Sequence, residues 1–303
     1  MLNALKPVVS LRDVIWQRGP DFRFAVEALS VTAGARLALI GGNGSGKSSA
    51  LELMAGIARP DSGEIAVFGQ PAGDLALRRR IGAQTPLASY NSVLKVGDIV
   101  ALHRRLHPHI DPAVLAAFDV AELADRLTGA LSQGQRRRLD LHLAFAHAPQ
   151  LILLDEPTAG LDAARHAAFM RLCASAIARG ATIVSATHDP AEVAAADRLL
   201  WFKAGRIRSS DTPHALLESI VGKFRGSLTY ADVATAQTTY AALPQATGNA
   251  RIHHDGVHLE VLGDHAAEAA FDRLAQTTSP IRASKGAALF DDLLVAISDR
   301  SQG

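Results

Sequence analysis

The sequence has little cysteine, few aromatic residues and no long apolar run. Cys173 is the one cysteine among 303 residues, so the chain cannot form an internal disulfide, and a reducing compartment suits this composition. No window approaches the roughly 20 consecutive apolar residues of a spanning helix, and the first residues, MLNALKPVVSLRDV, lack the basic start and apolar core of a secretion signal. We therefore expect a chain that neither enters nor crosses a membrane by itself.

The chain also lacks an excess of charge of either sign. Its 31 Lys and Arg residues are balanced by 30 Asp and Glu residues, which gives a net charge of +1 at pH 7. This balance provides no overall field for holding nucleic acid or anionic lipid, so any such contact must be local. The length exceeds what one core usually fills and indicates one large domain with a smaller companion.

A glycine-rich segment follows the first short apolar run. In ARLALIGGNGSGKSS, the strand pattern of residues 36–40 leads into Gly41–Ser48, which fits G-x-x-x-x-G-K-S, and a helical pattern follows. Backbone N–H groups of such a loop surround phosphate oxygens, while Lys47 reaches the β and γ phosphates and Ser48 holds Mg²⁺. The alternative is a flexible Gly/Ser turn. The other residues expected at the nucleotide are Gly41, Asn43, Gly44, Ser45, Gly46 and Ser49.

Two adjacent carboxylates end a second apolar run. In LILLDEP, the four apolar residues predict a buried parallel strand, and ligands gather at the carboxyl ends of such strands. Asp155 is therefore placed to support Mg²⁺, and Glu156 to orient or deprotonate an attacking water. The alternative is a plain strand that ends in an exposed acidic turn.

A third strand pattern, ATIVSATHDP, ends in a histidine. A lone histidine at a strand end is commonly a hydrogen-bonded structural residue. Beside a phosphate loop, His188 is instead well placed to contact a γ-phosphate. We therefore include it in the predicted site.

The order of these motifs resembles the nucleotide-binding domain of ATP-binding-cassette (ABC) proteins over residues 8–212. GGNGSGKSS, LSQGQ, LILLDEP, AGLD and ATHDP follow one another as they do in that family. The resemblance implies an α/β P-loop NTPase domain, residues 1–212, with a RecA-like core, an antiparallel β subdomain and a helical subdomain. It also implies an ATPase that binds ATP and Mg²⁺, with Lys47, Glu156 and His188 as catalytic residues.

In that family the LSQGQ segment is the signature motif, which serves the ATP held by a second subunit. Ser132 is a good N-cap, whereas Gly134 costs about 1 kcal/mol relative to Ala in a helical turn. The resemblance supplies a reason, since Ser132, Gly134 and Gln135 would meet the other copy's γ-phosphate at a helix N-terminus. Asp162 in AGLD would lie at the subunit boundary. Arg136–Arg138 are expected on a solvated or intersubunit face, with an RNA patch as the alternative.

Two positions depart from the family pattern. The glutamine that usually follows the strand in RRRIGAQTP, where it contacts Mg²⁺ and water, falls on Pro86, and Gln84 lies two residues earlier. We predict that a rearranged loop lets Gln84 serve as the metal ligand; alternatively, the contact is absent. The adenine-stacking aromatic is assigned to Trp16, with Phe22 and Phe24 as rivals, although a strand aromatic can equally face the core.

Residues 98–128 have an interrupted helical pattern that resembles the family's helical subdomain. His103 and His107 are four apart on one helical face, as two metal ligands would be. No carboxylate or cysteine joins them in the sequence. We therefore favour packed or solvated histidines over a metal site.

Residues 213–303 alternate in the order βαββαβ and end in a helix. This order predicts a small α+β ferredoxin-like domain. Asp255-Gly256, between two alternating runs, is a hairpin signal that would place His253 opposite His258. The closing helix, GAALFDDLLVAIS, resembles the tails of bacterial exporter ATPases of the antibiotic-resistance and cytochrome-maturation type.

Together these features favour the ATP-hydrolysing subunit of a membrane transporter. The chain would pair with a second copy of itself on the cytoplasmic face of the cell membrane and drive separate permease subunits, with export favoured by the tail and no nucleic-acid partner. One alternative is a soluble cassette ATPase acting on DNA or ribosomes, which the single cassette without a long insertion opposes. The other is a weakly active regulatory cassette, which Lys47, Glu156 and His188 oppose and Pro86 favours.

Overall fold

The computed structural model describes residues 7–85, 90–107, 109–246 and 251–302. It divides into two compact units, Met1–Ser210 and Asp211–Gly303, where the sequence predicted a boundary after residue 212. Within the described ranges, no helix is long and apolar enough to span a membrane. Pro86 lies outside them.

The first unit combines two sheets with a set of helices. Its strands are β1 (Val9–Arg18), β2 (Phe22–Val31), β3 (Arg36–Ile40), β4 (Ser62–Val67), β5 (Gln70–Pro71), β6 (Ile81–Gln84), β7 (Leu151–Asp155), β8 (Thr182–Ala186), β9 (Arg198–Lys203) and β10 (Arg206–Asp211). Its helices are α1 (Lys47–Met54), α2 (Val96–Leu106), α3 (Pro112–Ala117), α4 (Gln133–Ala146), α5 (Ala163–Ala178) and α6 (Pro190–Ala194). Short 3-10 turns occupy Leu75–Arg79, Val120–Leu123 and Thr128–Ala130.

The two sheets correspond to two of the predicted subdomains. The six-stranded sheet has the order β10-β9-β3-β8-β7-β6, and the β9-β3, β3-β8, β8-β7 and β7-β6 pairs are all parallel. The four-stranded sheet has the antiparallel order β2-β1-β4-β5. Helices α2 to α4 lie in the chain between β6 and β7, where the helical subdomain was predicted.

Strand β7 is buried on both faces, as its unbroken apolar run predicted. Leu151 and Leu153 belong to an apolar cluster that includes β1, β2 and α1, whereas Ile152 and Leu154 belong to a second cluster with α4 and α5. All four side chains are buried, and each contributes about 1.5–3 kcal/mol by leaving water. The strand thus fixes the position of the carboxylates that follow it.

Three motif-bearing strands are neighbours in the parallel sheet. β3, β8 and β7 lie side by side in the same direction, so the segments after their carboxyl ends meet at one edge. Those segments carry the glycine-rich loop, the histidine and the two carboxylates. The topology therefore brings together motifs that are far apart in the sequence.

The second unit has the predicted order of strands and helices. Its strands are β11 (Phe224–Thr229), β12 (Arg251–Asp255), β13 (His258–Gly263) and β14 (Arg282–Ala287), and its helices are α7 (Pro213–Ile220), α8 (Val233–Ala246), α9 (His265–Thr277) and α10 (Phe290–Gln302). The antiparallel sheet order β12-β13-β11-β14 is that of a split βαβ unit. Helix α7 was not predicted, although Thr212 caps it and Pro213 occupies its first turn.

The hairpin register corrects one sequence prediction. β12 pairs with β13 so that Asp255 is opposite His258 and His253 is opposite Glu260. The two histidines are therefore not opposite each other, because the turn consists of Gly256 and Val257 rather than Asp255 and Gly256. The ring of His258 instead lies 3.1 Å from the Thr229 hydroxyl.

Candidate functional site

The glycine-rich loop connects β3 to α1 and depends on glycine for its shape. Gly41, Gly44 and Gly46 have φ angles of 147°, 72° and 111°, which L residues with a side chain rarely adopt. A Cβ on Gly41 would lie 2.3 Å from the carbonyl oxygen of Phe202. The chain's own packing therefore requires glycine here, and the loop's backbone remains open toward a ligand.

Lys47, the first residue of α1, lies inside this loop. Its ammonium donates hydrogen bonds to the carbonyl oxygens of Gly41 at 2.7 Å and Gly42 at 3.2 Å. Burial lowers the pKa of Lys47, and the carboxylates of Glu156 and Asp155 partly oppose that shift. A cation surrounded by weak carbonyl acceptors is well suited to exchange them for phosphate oxygens.

The two predicted carboxylates have different environments. Asp155 is 4% exposed, and its Oδ2 has no hydrogen-bond partner among the described residues. Glu156 has a φ of 50°, in the left-handed region, and its N–H donates to the Ala186 carbonyl at 2.8 Å. Such strained backbone in a non-glycine residue clusters at functional sites.

Burial also changes the acidity of Glu156. It raises the pKa of Glu156 to about 7; Lys47 opposes the shift, and the carboxylates of Asp155 and Glu192 add to it. Sequence reasoning missed Glu192, which is fully buried and accepts hydrogen bonds from Thr158 and Thr187, both at 2.9 Å. The sequence feature that could have indicated Glu192 is its position four residues after His188.

His188 connects the lysine to the carboxylate. Its Nε2 lies 3.3 Å from Nζ of Lys47 and 3.4 Å from Oε1 of Glu156. Burial and the neighbouring ammonium lower the pKa of His188. The structure thus brings the three residues predicted as catalytic into one cluster.

A cavity of about 470 Å³, a volume within the usual range for ligand pockets, is lined by Lys47 and Glu156 of this cluster, whereas His188 is not among the described lining residues. Asn43 to Ser49 line it together with Asp155 and Glu156, so the phosphate loop and the carboxylates share one space. Sequence reasoning missed two basic residues of the lining, Arg18 and Arg137. A larger groove of about 1130 Å³, near Arg80 and Arg179, includes none of the motif residues.

The structure favours a different aromatic residue from the one predicted. Trp16 packs against the apolar core beside the guanidinium of Arg18, and it is absent from the cavity lining given above for the described residues. Phe22, a rival in the sequence prediction, lines the cavity, and its ring would lie 3.3 Å from a Cβ on Gly46. Both aromatics pack against the same apolar core, so the cavity lining favours Phe22, and the adenine-stacking residue stays a prediction.

The geometry does not support Gln84 as a magnesium ligand. Gln84 is 2% exposed, and its carboxamide oxygen accepts a hydrogen bond from the N–H of Asp155 at 2.9 Å. The side chain is therefore engaged with the end of β7 and does not line the cavity. Pro86, where the family pattern would have its glutamine, lies outside the described residues.

The signature segment begins α4 with a complete capping box. The Ser132 hydroxyl accepts from the Gln135 N–H at 3.2 Å, and the Gln135 side chain accepts from the Ser132 N–H at 3.1 Å. A Cβ on Gly134 would lie 3.5 Å from the Gly160 carbonyl oxygen, which is an ordinary van der Waals contact. Ser132 is exposed, and the described lining of the cavity includes neither Ser132 nor Gly134.

The arginines after the signature bind backbone carbonyls of their own chain. Arg136 donates to Thr128 at 3.4 Å, Arg137 to Asp155 at 2.9 Å, and Arg138 to Phe118 at 2.6 Å. All three arginines are only partly buried and Arg137 lines the cavity, so the expected solvated or intersubunit face stays a prediction.

Asp162 of the AGLD motif is exposed and caps α5. Its carboxylate accepts from the Arg165 N–H at 2.9 Å and also pairs with the Arg165 guanidinium. Asp162, like Ser132, is not among the described residues that line the cavity. The structure thus assembles the phosphate loop, the carboxylates and His188, but not the signature and AGLD residues.

Comparisons with known proteins agree with this architecture. A profile of the family described as ABC transporter matches residues 27–159. The Nod factor export ATP-binding protein I of Rhizobium sp. (strain N33) is 34% identical over 206 residues, which are 64% of this chain and 67% of that protein. The protein of the same name from Sinorhizobium fredii is 37% identical over 209 residues, which are 64% of this chain and 60% of that protein.

A solved structure of the ATP-binding subunit of an ABC transporter has the same fold. It matches with a TM-score of 0.62 at 21% identity, over 70% of this chain and 92% of that one. The sequence relatives and the motifs in their assembled geometry agree on one assignment. This chain belongs to the ABC transporter family, as an ATP-binding and ATP-hydrolysing subunit.

Proposed function

We propose that the chain works as a pair of identical copies that hold two ATP molecules between them and drive a separate membrane permease, as an exporter. Each site would combine the phosphate loop of one copy with the signature segment of the other. One observation carries this proposal: the N-terminus of α4 is exposed, capped and glycine-bearing, yet the chain's own packing has no need of glycine at residue 134.

The phosphates of ATP fit the loop because its residues from Asn43 to Ser49, which include the N-terminus of α1 and Lys47, line one cavity. The site also fits a magnesium ion, since Asp155 has a buried carboxylate oxygen without a partner among the described residues and Ser48 lies beside it in the lining. Ser48 and Asp155 would hold that ion, which neutralises phosphate charge when bound.

Glu156 is placed to prepare the attacking water. Its carboxylate takes a proton as the water oxygen bonds to the γ-phosphorus, and the bond from that phosphorus to the bridging oxygen breaks to give ADP and phosphate. A pKa of about 7 suits this task, because the ideal base has a pKa near the working pH. His188 orients the carboxylate at 3.4 Å and offers its ring to the γ-phosphate.

The second copy would complete the site from the opposite side. Its Ser132 hydroxyl and the N–H groups around its Gly134 would meet the γ-phosphate, and the N-terminus of its α4 would supply about half a positive charge. Glycine at residue 134 lets a phosphate approach the backbone closely. Asp162, exposed at the start of α5, would lie at the boundary between the copies.

Export and a membrane partner are supported by the named relatives, which are export ATP-binding proteins. By the same relation, the transport path would belong to separate permease subunits, with this chain at their cytoplasmic face. Transport is tested by measuring ATPase activity with and without a multi-spanning membrane protein encoded beside this one. Stimulation would support the proposal, and purification without any association would oppose it.

The paired state is tested with Glu156→Gln, which keeps the shape of the side chain but removes its basicity. We expect turnover to fall at least about 10²-fold while ATP binding persists, so that Mg²⁺ and ATP convert monomer to dimer in light-scattering measurements. The matched control, Glu156→Gln with Ser132→Arg, should remain monomeric. A Glu156→Gln chain that stays monomeric at saturating ATP, or undiminished turnover, would contradict the proposal.

A further inference from the structure

Three histidines from distant parts of the sequence meet in the helical subdomain. His103 lies in the last turn of α2, His107 directly follows that helix, and His147 directly follows α4. One ring nitrogen from each can be chosen so that all three lie within 4.8 Å of one another. The sequence showed only the first two, because His147 joins them through tertiary packing.

The ring of His147 is held in one tautomer. Its Nε2 lies 3.2 Å from the carbonyl oxygen of Ile81, and since a carbonyl only accepts, Nε2 must carry the hydrogen. Its Nδ1 is then the nitrogen with a lone pair, and that atom is buried with no hydrogen-bond partner in the described part of the chain, although the backbone of Leu143 also raises the pKa of this ring. A ring whose other N–H is fixed by a backbone carbonyl is the usual arrangement of a metal-bound histidine.

The three rings form a compact group. The centroid of His107 lies 4.5 Å from that of His103 and 4.1 Å from that of His147, and the remaining pair is 5.2 Å apart. Burial, together with the neighbouring histidines, lowers the pKa of His103 and of His147 to about 4, and burial also lowers the pKa of His107.

The surroundings of the three rings include groups that attract a cation and a group that repels it. The C-terminal ends of α2 and α4 both reach the group, and each carries a partial negative charge that attracts a cation. Arg79 is near enough to His107 to lower its pKa, so it repels a cation. For a cation to bind, its attraction to the three ring nitrogens and the two helix ends must exceed its repulsion by the Arg79 guanidinium.

We propose that His103, His107 and His147 form a three-histidine site for Zn²⁺, which would tie α2 to α4 and to the start of β6. Zinc binds imidazole nitrogen at about 2.0–2.1 Å, so tetrahedral geometry places the nitrogens about 3.4 Å apart. The nitrogens now lie within 4.8 Å of one another and the ring planes of His103 and His107 are 28° apart, so the rings must turn about their side-chain bonds to converge on one ion. Nitrogen ligands select zinc over Mg²⁺, which separates this site from the nucleotide's metal.

The test uses the full chain without an affinity tag, stripped of metal with a chelator. Competition with a chromophoric zinc indicator measures stoichiometry and affinity, and Co²⁺ absorption reports the coordination geometry. We expect one Zn²⁺ per chain, and at least about 100-fold weaker binding in His103→Gln, His107→Gln and His147→Gln, since even losing an outer partner of a ligand costs 10–100-fold. His109→Gln, which changes an exposed neighbouring histidine, is the matched control and should bind as the unmodified chain does.

Folding is checked separately, because His147 is partly buried. The circular dichroism spectrum and the melting temperature of each variant are measured without metal, and Zn²⁺ should then raise the melting temperature of the unmodified chain and of His109→Gln only. A folded His107→Gln or His103→Gln that binds zinc as tightly as the unmodified chain overturns the proposal. So does an unmodified chain that takes up no stoichiometric zinc.

Discussion

Two glycine-bearing helix starts of this chain look alike in sequence and differ in structure. The loop before α1 needs glycine for the chain's own sake, because Gly41 has a φ of 147° and a Cβ there would lie 2.3 Å from a carbonyl oxygen. The start of α4 does not, because a Cβ on Gly134 would make only ordinary contact at 3.5 Å. A residue that weakens a helix without serving the fold points to a requirement outside the chain.

The two regions also differ in what surrounds them. The loop before α1 is closed in by Lys47, Glu156 and His188 of the same chain, whereas Ser132 at the start of α4 is exposed. The first region therefore has the lysine, the carboxylate and the histidine of its own chain in place. The second presents a capped helix N-terminus to solvent, as one half of a site would.

The largest expected effect is on the first region. Lys47→Ala removes the one ammonium inside the phosphate loop, so ATP turnover should fall at least about 10²-fold, as for the loss of a group that stabilises transition-state charge. Steady-state ATPase assays measure the loss. Lys285→Ala, which removes a lysine from the second unit, is the control and should leave turnover unchanged; equal rates in both variants would remove Lys47 from the mechanism.

The next prediction compares substitutions of Gly134 and Gly41. Gly134→Ala should leave the free energy of unfolding unchanged or raise it by up to about 1 kcal/mol, since Ala is the better helix former. It should nonetheless lower ATPase activity at least about tenfold, because the methyl group obstructs a phosphate that approaches the backbone.

Gly41→Ala is the opposite case and serves as the comparison. Its clash with the Phe202 carbonyl should lower the free energy of unfolding by about 2 kcal/mol or more. Urea unfolding of both variants, run beside the ATPase assay, gives the two quantities. If Gly134→Ala destabilised the chain as much as Gly41→Ala does, the difference between the two regions would disappear.

The acidity of Glu156 gives a pH dependence of about tenfold. With a pKa of about 7, the carboxylate form falls from about nine-tenths at pH 8 to about one-tenth at pH 6, and kcat/KM should fall with it. Since the folded state favours the protonated acid, this group's contribution to stability is lost as pH rises from about 4.5 to 7. The residual rate of Glu156→Gln should therefore not change between pH 6 and pH 8. Its melting temperature should rise relative to that of the unmodified chain as the pH increases toward 8.

Gln84 should have the smallest effect on catalysis. Gln84→Ala leaves the N–H of Asp155 without its acceptor, which should lower the free energy of unfolding by about 1–3 kcal/mol and turnover only a few-fold. The Mg²⁺ concentration for half-maximal activity should not change. A marked increase in that concentration would restore Gln84 as a metal ligand, and Pro86→Gln would then be expected to change little.

Local sequence motifs were enough to predict the phosphate loop and the carboxylates. Gly41–Ser48 and the run from Leu151 to Glu156 each carry their chemistry and their strand within a few residues, and the parallel order of β3, β8 and β7 then brings them together. The order of elements in the second unit also followed from local alternation. Its hairpin register did not, because it depends on which residues the turn itself contains.

The misses at the nucleotide site and at the histidine group concern contacts between residues on different elements. Trp16 and Phe22 lie on the same face of the β1–β2 pair, and only Phe22 is among the described residues that line the cavity, which local sequence could not indicate. Gln84 was misread because the hydrogen bond that engages it comes from Asp155, on the neighbouring strand. His147 completes a group with His103 across two helices, and no spacing within the sequence reports that contact.

The most direct test of the composite site mixes two defective chains. Both carry Glu156→Gln to trap bound ATP; one also carries Lys47→Ala and the other Ser132→Arg, so neither can form a sound site with its own kind. A mixed pair has one sound interface, which joins Lys47 of one chain to Ser132 of the other. We predict that each chain alone stays monomeric with Mg²⁺ and ATP, and that the mixture forms dimers holding one ATP each; a mixture that stays monomeric, or a Ser132→Arg chain that dimerises alone, would contradict the account.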